Sequence, residues 1–99
     1  MDIELEGHIR YDVTITTGDQ KGDGTKSPIK FAILGKLGKG QTKMISEKGF
    51  KTSSVETNQI FSTEVGIISG FTIWVQNADA WYVERIVIEN YCKNLYKII

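Results

Sequence analysis

Residues 11–35 hold the feature that most limits the folds open to this chain: two runs of strict alternation separated by one polar loop. In the first run Tyr11, Val13 and Ile15 fall on one side, and Asp12, Thr14 and Thr16 on the other. In the second run Ile29, Phe31 and Ile33 repeat the arrangement, and Gly35 ends it. Successive side chains of an extended strand point to opposite faces, so a period of two predicts strands with one buried face. Between the runs lie Asp19, Gly22, Asp23, Gly24 and Thr25, residue types that reverse a chain and carry oxygens able to ligate a cation.

The remainder of the chain has the same grain. Strands are predicted over about 9–17, 29–35, 41–46 and 57–63, then 68–75, 81–89 and 95–99. Residues 1–8 are a peripheral segment, in which Ile3 and Leu5 alternate with acidic residues and allow one short extra strand. Lys36–Gly40 reads as a turn, and residues 47–56 as a polar loop anchored in the core by Phe50. Two irregularities stand out. Gly70 interrupts an apolar strand in the manner of a bulge. After Arg85 the apolar face changes sides, which leaves the register of 81–89 open between two settings. No helical period extends beyond two turns. Seven or eight short strands with frequent turns predict an all-β, antiparallel β-sandwich, with 1–99 as one domain.

Charge narrows the partners. The formal net charge is zero, yet seven lysines against Glu47 give residues 26–51 a charge of +6. Such a segment is either a solvated lysine face that blocks edge pairing or a patch for anionic lipid heads or an acidic partner. Nucleic acid is excluded from the expected partners, because the lysines lack the interleaved aromatics and arginines that base stacking uses. No apolar run approaches the roughly 20 residues of a membrane-crossing helix. The acidic N-terminal residues do not resemble a secretory leader. Cys92 is the only cysteine, which excludes an internal disulfide and leaves the compartment open.

The order of these pieces resembles the PLAT domain, the sandwich module of polycystins, lipoxygenases and alpha-toxin. Tyr11, Val13, Ile15, Thr17 and Gly18 match its opening motif, and Gly24, Thr25, Ile29, Phe31, Ile33 and Gly35 its second. Val65, Gly66, Ile68, Phe71 and Ile73 match the third, and Trp81, Val83, Ile86 and Ile88 the last, Trp-led one. The resemblance spans about residues 11–90. It implies two four-stranded sheets with Val83, Ile86 and Ile88 turned inward. It also implies a non-catalytic module that docks an attached enzyme or receptor onto membranes or proteins, with calcium in some members.

Carried over from calcium-binding relatives, the candidate calcium ligands are Asp19, Asp23 and the Gly24 carbonyl, facing Asp79 and the Ala80 carbonyl. Two positions depart from the family pattern: Lys26 replaces a frequent aspartate and Asp23 an alanine. The loop is no EF-hand, because Lys21 and Lys30 occupy ligand positions and no helix flanks it. Gly35–Thr42 is no phosphate loop, because Gln41 stands where the lysine belongs.

No catalytic constellation is predicted: His8 is the only histidine, and no serine sits in a nucleophile context. Trp81 is assigned to core packing. Trp74 falls opposite Phe71, Ile73 and Val75 and so points outward, as a membrane or partner anchor or as a contact beneath the N-terminal segment. The expected function is docking to a lipid surface or protein partner, with calcium assistance, Trp74 as anchor and Lys36, Lys39 and Lys43 as attraction. A calcium-independent protein adaptor and a regulatory domain of a lipid-processing enzyme are the alternatives. No small-molecule substrate is expected.

Overall fold

The computed structural model describes residues 8–76, 80–90 and 95–98. The extra strand considered within residues 1–8, apart from His8, as well as Asp79 and Cys92, lies outside them. Eight strands follow one another: β1 (His8–Thr17), β2 (Ile29–Gly35), β3 (Gly38–Lys39), β4 (Lys43–Ser46), β5 (Val55–Thr63), β6 (Ile68–Val75), β7 (Val83–Asn90) and β8 (Leu95–Ile98). All pairings are antiparallel. One sheet runs β5-β1-β7-β8. The other is built on β2, with β6 along one edge and β3 and β4 in succession along the other.

Alternation fixes which faces meet. Tyr11, Val13 and Ile15 of β1 and Ile29, Phe31 and Ile33 of β2 are all buried and form the centre of the core. Ile60 from β5, Ile68 from β6 and Ile86 and Ile88 from β7 join it, together with Phe50 and Val65 from the connecting loops. Phe31 stacks on Phe71 of β6, with centroids 5.4 Å apart and planes 6° from parallel.

The face switch after Arg85 has a local cause. Pairing of β1 with β7 slips by one residue, from Thr16 opposite Arg85 to Thr17 opposite Val83, and Glu84 is the extra residue. Glu84 and Arg85 are therefore both exposed, while Val83 and Ile86 pack on the core. The irregularity expected at Gly70 falls next to it, at Ser69, where β2 pairing passes from Leu34–Gly70 to Gly35–Ile68. The expected turn at 36–40 is shorter than predicted, because Gly38 and Lys39 already pair with Gly35 and Leu34.

A buried hydrogen bond ties the two ends of this arrangement together. The Val65 N–H donates to the Tyr11 hydroxyl at 3.1 Å. Tyr11→Phe keeps the ring and strands that donor, so it is expected to cost about 1–3 kcal/mol. A lowered urea midpoint at unchanged slope checks this; an unchanged midpoint contradicts it.

Candidate functional site

The loop 18–28 closes one end of the sandwich, and the fold interlocks it with both neighbouring loops. The Gly18 N–H donates to the Tyr82 carbonyl at 3.0 Å, and the Tyr82 N–H donates to the Asp23 carbonyl at 2.9 Å. On the other side the Thr25 N–H donates to the Phe50 carbonyl at 2.8 Å, and the Gly24 N–H to Thr52 Oγ1 at 3.0 Å. Phe50 anchors that seam in the core and stacks on Trp81 at 5.4 Å. The Trp81 Nε1–H donates to Thr17 Oγ1 at 3.1 Å, which uses the indole's one polar group. Trp81 is thus a packing residue at the base of the loops.

Glycines set how closely these backbones approach. A Cβ on Gly49 would lie 2.1 Å from the Thr25 carbonyl oxygen, and Gly49 has φ +74°. A Cβ on Gly18 would strike the Asp23 carboxylate at 2.3 Å and the Tyr82 ring at 2.6 Å.

Of the candidate calcium ligands, Asp19 and Asp23 line one recess together with Gly18, Gln20, Tyr82 and Glu84. Asp23 Oδ2 accepts the Gln20 N–H at 3.0 Å, which closes a turn within the loop. Asp19 Oδ1 accepts from Gln20 Nε2 at 3.4 Å. Gly24 lies on the Thr52 side, and Ala80 is exposed. Asp79 is outside the described residues. Among the described residues no three His, Cys, Asp or Glu side chains come together to hold a metal ion. Calcium takes six to eight oxygens.

The candidate docking residues divide between places. Trp74 stands on the outer face of β6, opposite Lys30 and 40% exposed. Lys39 Nζ lies 4.8 Å above its ring centroid, a cation–π contact. Lys36 is exposed in the turn at the far end of β2, where its N–H donates to the Ile67 carbonyl. Lys43 lines a recess with Asn58, Gln59, Ile60 and Phe61, between β4 and β5. Trp74 and Lys39 are brought together; Lys36 and Lys43 are not part of that contact.

A different lysine group was not distinguished in the sequence. Lys26, Lys48 and Lys51 share one recess with Gly24, Thr25 and Thr52. They are 22 to 25 positions apart across the seam, and only the glycine approach brings them to one place. Tyr82, 61% exposed, is a second surface aromatic beside this end.

Two stacked antiparallel sheets, closed at one end by interlocked loops, define the class: a β-sandwich domain whose chemistry sits on its loops. The PLAT/LH2 domain profile matches residues 11–97, and the chain belongs to that family. It is 32% identical over 87 residues to the polycystin family receptor for egg jelly of Mus musculus, covering 81% of this chain and 4% of that protein. Among solved structures it is similar to a LOX deletion variant, with a TM-score of 0.84 and 23% identity, over 94% of this chain and 14% of the other. Coral 8R-lipoxygenase, whose structure is described as showing calcium activation via a C2-like domain, gives a TM-score of 0.81 at 22% identity, over 90% and 14%. At these identities the solved structures speak to the fold.

Proposed function

We propose that this chain is a docking module that holds a larger protein against an anionic lipid surface. One observation carries the reading: Trp74 stands exposed on an outer sheet face with the Lys39 ammonium over its ring. A Trp beside a lysine suits the boundary between headgroups and acyl chains, where the ring meets apolar matter and the ammonium meets phosphate. The family supports a lipid- or protein-binding role, and the LOX matches favour attachment to an enzyme as one setting. A protein partner is the second reading. It is favoured by Leu37 and Ile67, which are 73% and 61% exposed on the loops joined by the Leu37–Val65 and Lys36–Ile67 hydrogen bonds.

Co-sedimentation with phosphatidylcholine vesicles, with and without 30% phosphatidylserine (about, by design), tests the lipid reading in calcium and in chelator. Binding is expected only to the anionic vesicles, and it is expected to persist in chelator. Trp74→Ala should weaken it about 10-fold, and the Trp emission of the parent should shift to the blue on binding. Absence of sedimentation with both lipids in both conditions sinks the reading.

A further inference from the structure

We infer that the recess between Lys26, Lys48 and Lys51 is a binding site for a phosphomonoester headgroup of an anionic lipid, reached without calcium; it rests on the docking role proposed above. The recess has a volume of about 430 Å³, room for a headgroup phosphate, and its lining adds Gly24, Thr25 and Thr52 to the three lysines. All three ammonium groups are on exposed residues, and none has an ion-pair partner among the described residues. Three like charges gathered on one recess repel one another, and an anion placed among them reverses the sign of that interaction. A phosphomonoester carries a charge of about −1.5 to −2 at neutral pH and three acceptor oxygens. That matches three ammonium donors better than the single net charge of a serine headgroup does. Lysine binds phosphate as a point charge without demanding a fixed fork, as a cluster on three loop positions requires.

The recess is also held in shape before any ligand arrives. The Thr25–Phe50 and Gly24–Thr52 hydrogen bonds fix the Lys26 loop to the loop bearing Lys48 and Lys51. Phe50, buried beneath, prevents the seam from sliding. The backbone therefore needs little ordering on binding, and the cost that remains is the immobilisation of the three lysine side chains. A membrane source of the phosphate is favoured by the exposed Trp74 with Lys39 over its ring, an anchor for the same lipid surface. The exposed indole of Trp74 lines a separate recess with Pro28 and Lys30, and Pro28 follows Lys26 by two positions in the chain. Asp19, Asp23 and Glu84 line the separate recess under Tyr82.

The test uses the full chain in chelator and two vesicle types of equal total charge, one with phosphatidic acid and one with phosphatidylserine, in phosphatidylcholine. The parent is expected to prefer phosphatidic acid. The triple variant Lys26→Gln, Lys48→Gln, Lys51→Gln should bind phosphatidic acid about 100-fold more weakly and lose the preference. The charge-matched triple variant Lys36→Gln, Lys39→Gln, Lys43→Gln should weaken binding to both vesicles and keep the preference. Thermal melts confirm that both variants are folded. A Lys26/Lys48/Lys51 variant with the parent's preference overturns the inference. If the parent binds neither vesicle, the docking role itself fails, and amide shifts on titration with inositol hexakisphosphate then judge the recess alone. Shifts confined to the amides around Lys26, Lys48 and Lys51 would keep an anion site and overturn its lipid source; no shifts there would overturn the site.

Discussion

Phe50→Ala is expected to lower the free energy of unfolding by about 4 kcal/mol, as large-to-small changes at fully buried aromatic positions do. At about 4–8 °C per kcal/mol for a domain of this size, the melting temperature should fall by roughly 15–30 °C. The size of the effect is unusual for a loop residue. Phe50 belongs to the connection between β4 and β5, yet it is only 2% exposed. Its ring meets Trp81 at 5.4 Å with 24° between the planes. Trp81 is itself held by the bond from Nε1 to Thr17, so it is restrained from swinging in to fill the cavity. A site that cannot collapse shows the upper part of the range. Phe50→Leu, which keeps most of the volume, should cost less than about 1.5 kcal/mol. Urea unfolding of the two variants checks the pair, and a loss below about 1.5 kcal/mol for the alanine variant contradicts the anchoring role.

Gly49→Ala is expected to destabilise by about 3 kcal/mol, with two contributions that other glycines separate. At φ +74° a side chain adds about 1–2 kcal/mol of left-handed strain. The remainder comes from the Cβ meeting the Thr25 carbonyl, a backbone atom that moves only if the seam between the loops opens. Gly22 has φ +89° but open space around its Cβ position, so Gly22→Ala should show the strain alone, about 1 kcal/mol. Gly70 has neither problem. Gly70→Ala should be neutral or stabilising by up to about 1 kcal/mol, because it removes freedom from the unfolded chain. Melting temperatures in the order Gly70→Ala, Gly22→Ala, Gly49→Ala, from highest to lowest, are the expected result. Equal losses for Gly22→Ala and Gly49→Ala would mean that the close approach is not rigid.

What could be read from the residues depended on whether the determinant was local. The faces of β1 and β2 were legible because each residue's orientation follows from its neighbours two places away. The outward setting of Trp74 was legible for the same reason. Glu84 and Arg85 show the limit of that method. Two consecutive polar residues in an alternating strand were a visible signal, but their meaning as a bulge depends on the register with β1. β3 was illegible, since its two residues, Gly38 and Lys39, carry no pattern and pair only because the turn at Lys36–Leu37 is tight. The second sheet accordingly has a divided edge, with β3 and β4 sharing one side of β2. The lysine recess was legible only as a charge excess in 26–51. Assigning Lys26, Lys48 and Lys51 to one place requires the backbone seam at Gly24 and Gly49, which joins segments far apart in the chain.

The central position of β1 has a consequence for how the chain reaches this state. Its neighbours are β5 and β7, and its pairings run from Thr16 with Val55 to Tyr11 with Asn90. Every one of them closes a loop of about 40 to 80 residues before it returns any stabilisation. Topologies of this kind fold in milliseconds to seconds, slowly for their length. During synthesis the first strand made must wait for almost the last. Until β7 has left the ribosome, one edge of β1 is unpaired, and the apolar row of Tyr11, Val13 and Ile15 has only part of its cover.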